Sequence, residues 1–153
     1  MAGLLVASQA LAQPVNDDPT GPQPKLPTEQ LTIKTASGDM YHFTVELPTT
    51  QQEQTTGEMF RTDIPADQGM LFVWPKPQIS EMWMKNCPVP EDMVFIGADG
   101  TILAIAENTV PYSLSTISSG VPVKATLELK GGVTAADNIN VGDKVIAKPF
   151  SGG

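Results

Sequence analysis

From residue 41 to residue 47 apolar and polar side chains alternate strictly. Tyr41, Phe43, Val45 and Leu47 fall on one face and His42, Thr44 and Glu46 on the other, which predicts a strand with one buried and one wet side. Leu31–Ala36 precedes it across Ser37-Gly38-Asp39, a short hairpin signal. After Pro48, Thr49 and Thr50 stand three residues before Gln52 and Glu53, so both pairs have capping-box form and predict a short helix from Thr50 to Arg61. Alternating or continuous apolar runs then return at Gly69–Trp74, Glu81–Asn86, Met93–Ile96, Thr101–Ala106, Lys124–Lys130 and Lys144–Ala147. Turn chemistry separates them: Pro75-Lys76-Pro77, Gly97-Ala98-Asp99-Gly100, Gly131-Gly132 and Val141-Gly142-Asp143. Many short strands with one short helix predict a mainly β single domain over residues 30–150, a jelly-roll-like β-sandwich or partly closed barrel.

The two ends read differently. Met1–Ala12 carries an apolar run at Leu4–Val6 and closes on Ala10-Leu11-Ala12, the A-x-A form of a signal-peptide cleavage site before Gln13. No Lys or Arg precedes that run, so Met1 fits an internal methionine of a longer signal peptide. The expected address is periplasmic or secreted, without membrane insertion after cleavage, because the run is far short of the roughly 20 residues that span a bilayer. Residues 13–29 hold five prolines among polar side chains and predict a disordered linker.

Composition narrows the functional classes. The chain has 9 basic and 17 acidic residues, a net charge of −8. Such a balance argues against nucleic-acid and anionic-lipid partners, since phosphate binding needs clustered cations. A single histidine, His42, rules out a multi-histidine metal site, and no nucleophile elbow, phosphate loop or dinucleotide fingerprint occurs, so no cofactor is expected. Cys87 is the one cysteine and forms no intrachain disulfide. Met82, Met84 and Cys87 together are a set of soft donors of the type that selects copper(I).

Charged residues inside apolar segments stand out more. Arg61 closes the predicted helix, Lys85 and Asn86 follow Trp83, Asp92 heads Met93–Ile96, and Glu128 lies between Leu127 and Leu129. A charge beside core strands is costly unless paired. Pairing of Arg61 or Lys85 with Asp92 or Glu128 is therefore expected, as a clasp or as the polar part of a cleft.

The ordered set Gly57-x-Met59-x-Arg61, Gly69-Met70-Leu71-Phe72, Trp83-Met84-Lys85-Asn86, Asp92-x-x-Phe95-Ile96, Asp99-Gly100, Leu127-Glu128-Leu129 and Gly142-Asp143 resembles domain of unknown function family 192. This is a group of small, often exported bacterial and archaeal proteins. The resemblance spans Leu31 to Ala147 and implies a compact jelly-roll or barrel-like β fold without an assigned activity. The family usually has Thr in place of Cys87 and an apolar residue, usually Leu, in place of Glu91. The first departure counts against a cysteine mechanism, and the second makes the surroundings of Asp92 more acidic. Arg61, Lys85, Asn86, Asp92, Glu128 and Asp143 match the pattern.

Three readings follow. The first is a binding or accessory domain with a cleft of Arg61, Trp83, Lys85, Asn86, Asp92 and Glu128, whose partner is a small molecule or an extracytoplasmic protein. The second is a hydrolase or transferase using Asp92 and Glu128 as acid and base. The third is soft-metal binding through Met82, Met84 and Cys87.

Overall fold

The computed structural model describes residues 18–150. The signal sequence read in residues 1–12 lies outside the described residues. In chain order the elements are β1 (Thr28–Lys34), β2 (Met40–Glu46), α1 (Gln51–Thr56), β3 (Gln68–Met82), β4 (Glu91–Ile96), β5 (Ile102–Ala106), β6 (Ile117–Lys130), α2 (Val133–Ala136) and β7 (Lys144–Ile146). A 3₁₀ turn, Lys148–Phe150, follows.

The strands form one sheet ordered β5-β4-β6-β3-β2-β1-β7, antiparallel except for the β2–β3 pair. It curls into a half-barrel, and an isolated bridge from Thr101 to Lys144 links its two edges. This is the barrel alternative rather than two stacked sheets. All seven strands send side chains into one core: Leu31, Ile33, Phe43, Val45, Leu71, Val94, Ile96, Ile102, Ala125, Leu127, Leu129 and Val145 are all buried there. A second, smaller core of Met59, Met84, Cys87, Met93, Phe95 and Val123 lies on the other face of the sheet. Among the described residues no helix is long and apolar enough to cross a membrane.

Local chemistry explains where the elements differ from expectation. The Thr50–Glu53 capping box forms, yet α1 stops at Thr56 instead of Arg61. Gly57 ends it at φ 46°, a backbone setting that disfavours any side chain, and a Cβ there would lie 3.2 Å from the Phe72 ring. Gly69–Trp74 and the start of Glu81–Asn86 merge into the long β3, so Pro75-Lys76-Pro77 is not a break. The β3–β6 pairing lapses between Val73 and Gln78, where the prolines lack N–H donors, and Lys124 Nζ bonds the free carbonyls of Trp74 and Pro75 at 2.8 and 3.1 Å. Beyond Met82 the chain leaves the sheet, with Asn86 at φ 58°. The expected linker also differs. Its described part is strapped to the domain: Leu26 N–H donates to Glu46 Oε2 at 2.8 Å, and Gln23 Nε2 donates to the Glu53 and Gly57 carbonyls at 3.0 and 2.9 Å. Its last residues, Thr28 and Glu29, belong to β1.

Candidate functional site

Strand alternation divides the polar residues of the central strands between the two faces. Register places Met93 opposite Glu128 and Glu128 opposite Met70, so these three point away from the main core. Asp92 pairs with Leu129, and Leu127 with Leu71, so these point into the barrel. Phe72 and Trp74 share the outer face with Glu128, and their rings stack at 6.2 Å between centroids. The turn after α1 folds over this face because Gly57 reverses the chain, which brings Glu58 and Met59 down onto it.

Between them lies a cavity of ≈ 300 Å³. Phe72, Trp74 and Trp83 give it aromatic walls, Met59 and Met82 add thioethers, and Glu58, Glu81 and Glu128 contribute carboxyls. No Lys, Arg or His lines it. Two wall groups have no partner among the described residues. Trp74 Nε1–H is buried and donates to nothing. Glu128, buried to 5% exposure, accepts no hydrogen bond among the described residues, so its pKa is raised well above the usual range, first by burial and then by Glu91 and Glu58.

Behind this wall the acidity deepens. Glu91 is wholly buried, and neither carboxyl oxygen has a partner in hydrogen-bond geometry; the Cys87 thiol is its one near polar neighbour among the groups that shift it. Burial, then repulsion from Glu58, pushes its pKa up to about 8, against a smaller opposing influence of Cys87. The Cys87 thiol is directed at the Lys85 carbonyl, 3.5 Å away. Burial, with Glu91 and Glu128 nearby, raises its pKa and opposes the thiolate that a metal would need. Met84 Sδ accepts the Thr109 hydroxyl at 3.1 Å. Among the described residues no group of three His, Cys, Asp or Glu side chains could hold a metal.

Among the described residues Arg61 is the buried cation of this acidic layer. Its Nη1 donates to Glu46 Oε1 at 2.6 Å and Glu58 Oε2 at 2.9 Å, and its Nη2 to Glu46 Oε2 at 3.0 Å. Burial works against ionisation of Glu46, but the bonds from Arg61, the Leu26 N–H and Lys25 prevail, and its pKa is lowered. Glu58, with one bond and more burial, moves the other way.

A family model matches residues 32–147, nearly all of the folded part. It describes DUF192, Uncharacterized ACR. The chain belongs to this family. Two solved relatives agree in fold. A crystal structure of a "putative transcription regulator" from Sinorhizobium meliloti 1021 shares 38% identity over 81% of this chain and 96% of its own, at a TM-score of 0.78. A protein of unknown function from Novosphingobium aromaticivorans DSM 12444 shares 34% over 93% of this chain and 94% of its own, at 0.77. No curated protein matches the chain.

In this DUF192 domain the residues singled out in the sequence do not converge. Trp83 and Glu128 reach the cavity. Arg61 stands behind it, paired with Glu46 and Glu58 rather than with Asp92 or Glu128. Lys85 sits 5.2 Å over the Trp83 ring and pairs with Asp18 at 3.1 Å. Asn86 is a loop brace: Phe60 N–H donates to its carbonyl at 2.7 Å, and its Nδ2 donates to Met59 Sδ at 3.7 Å. Asp143 ties the loop before β7 to the β1–β2 turn by accepting the Ala36 and Asn140 N–H groups at 2.9 and 2.7 Å.

Asp92 lies on the opposite face, its carboxylate filled by the N–H groups of Asn108, Gly132 and Thr134 and the Thr134 hydroxyl at 2.6–3.0 Å. A paired acid–base mechanism of Asp92 with Glu128 is therefore ruled out by register. Glu58, Glu91 and Trp74 were not singled out for a site. Glu58 reads as helix until Gly57 turns the chain, and Trp74 reads as ordinary core. Glu91 had a signal, a second carboxylate beside Asp92 at the head of the apolar run Met93–Ile96.

Proposed function

We propose that the domain is an exported, non-catalytic binding module that takes a small molecule into the cavity between α1 and the outer face of β3 and β6. One observation carries this reading: the Glu128 carboxyl, on a residue only 5% exposed, lines this cavity beside the Trp74 and Trp83 side chains with no hydrogen-bond partner among the described residues. A buried polar group without a partner is unfavourable, and a ligand that supplies the partner relieves it. The mixed aromatic and polar lining is that of a small-molecule site. The relative's regulator description is not carried over, because a net charge of −8 works against binding phosphates.

The protein reports on this site by itself. Trp74 and Trp83 are its only tryptophans and both line the cavity, so any occupant alters intrinsic fluorescence. Titration with a chemically mixed panel of small metabolites is expected to give saturable fluorescence changes and a raised Tm for at least one class. Silence from every class, in both readouts, defeats the proposal. Export rests on the Leu4–Ala12 pattern and predicts a mature N-terminus at Gln13. A protein recovered from the cytoplasm with residues 1–12 intact would refute that part.

A further inference from the structure

The cavity is asymmetric in charge. Its carboxyls come from three separate places, the turn after α1 (Glu58), the end of β3 (Glu81) and β6 (Glu128), and no basic side chain lines it. The cations close by are already taken: Arg61 by Glu46 and Glu58, and Lys85 by Asp18. Glu128, buried and without a hydrogen-bond donor among the described residues, is the wall carboxyl whose ionised form an incoming cation can stabilise. Aromatic rings attract cations through their electron-rich faces, and Lys85 over Trp83 shows one ring here already doing so.

We propose that the cavity selects an organic ammonium ion, held between Glu128 and the aromatic wall. This rests on the binding-module reading and names the chemical class of its ligand. The charged and titratable groups around Glu128 are Glu91 from β4, Glu58 and Arg61 from the turn after α1, and Cys87 from the loop before β4. Burial, then the neighbouring Glu91 and Glu58, favour the protonated form of Glu128 in the empty site. A bound cation favours its ionised form, so binding releases a proton and strengthens as pH rises.

The probe is choline, compared with its neutral carbon isostere 3,3-dimethyl-1-butanol, by tryptophan fluorescence and calorimetry on the full chain. Choline is expected to bind at least about tenfold more tightly than the isostere, to tighten as pH rises, and to release protons measurable in buffers of different ionisation enthalpy. Glu128→Gln is expected to abolish the preference and the pH dependence. Trp83→Ala, at a half-exposed position, keeps the fold and weakens choline by a larger factor than it weakens the isostere. Equal binding of both probes overturns the ammonium inference but leaves the binding-module reading standing. Absence of choline binding also overturns it, and the mixed panel then decides separately whether the cavity binds anything.

Discussion

Arg61→Ala is expected to destabilise the domain by about 3 kcal/mol or more at pH 7, read as the shift in urea midpoint at unchanged slope. The guanidinium makes three charge-assisted bonds to Glu46 and Glu58, two of them a bidentate fork on Glu46. The arginine, Glu46 and Glu58 side chains are only 11%, 6% and 3% exposed. Removing the cation leaves two buried carboxyls facing each other, and Lys25, itself mostly exposed, can offset only the one on Glu46. Glu46 also holds the Leu26 N–H, so the strap before β1 loosens as well. The pH dependence fixes the cause. Glu46 has a lowered folded pKa, so its contribution is present above its unfolded value near 4.5 and lost as pH falls through the folded value. The deficit of the variant is therefore full at pH 7 and shrinks below about pH 4.5. Arg61→Lys keeps the charge without the fork and falls between the two. A deficit that is the same at pH 4 and pH 7 would mean that lost packing, not charge, is responsible.

The opposite sign is expected at Glu91. Glu91→Leu should stabilise the domain by about 1–3 kcal/mol at pH 8, because it replaces an unpartnered buried carboxyl with an apolar side chain of similar size beside Met93 and Cys87. Glu91 has a folded pKa raised to about 8 from 4.5. Its protonation favours the folded state fully below the unfolded pKa, and that contribution disappears as pH rises through about 8. Wild-type stability is thus expected to fall between about pH 5 and pH 9, by up to about 1.4 kcal/mol per pH unit for each such carboxyl. The variant loses the Glu91 share, so its advantage widens with pH, while Glu128 and Glu58 retain a residual slope. Urea melts at each pH unit from 5 to 9 measure both effects. A variant less stable than wild type at pH 8, or one with an undiminished slope, would show that Glu91 has a partner in solution.

The contrast between these two glutamates shows where one-dimensional reading stops. Period-two alternation placed β2, the continuous apolar run Met93–Ile96 placed most of β4, and the Thr50–Glu53 box placed the start of α1, because these depend on neighbours within a few residues. The end of α1 depended on Gly57 packing against Phe72, fifteen positions away, and no local rule supplies that contact. The fate of Asp92 and Glu128 was settled by sheet register. The two lie on adjacent strands one position out of step, so one faces the barrel core and the other the cavity.

The sequence alone determined that this chain forms a mainly β domain of the DUF192 family, since alternation, turn residues and an ordered motif set are all properties of the linear order. It also marked Trp83 and Glu128. Tertiary structure alone decided which carboxyls are paired and which are stranded: Arg61 reaches Glu46 across fifteen residues, and Glu58, Glu91 and Glu128 meet through strand pairing and a glycine turn. Burial and charge coupling act through space, so the acidic cavity becomes visible only once the chain has folded around it.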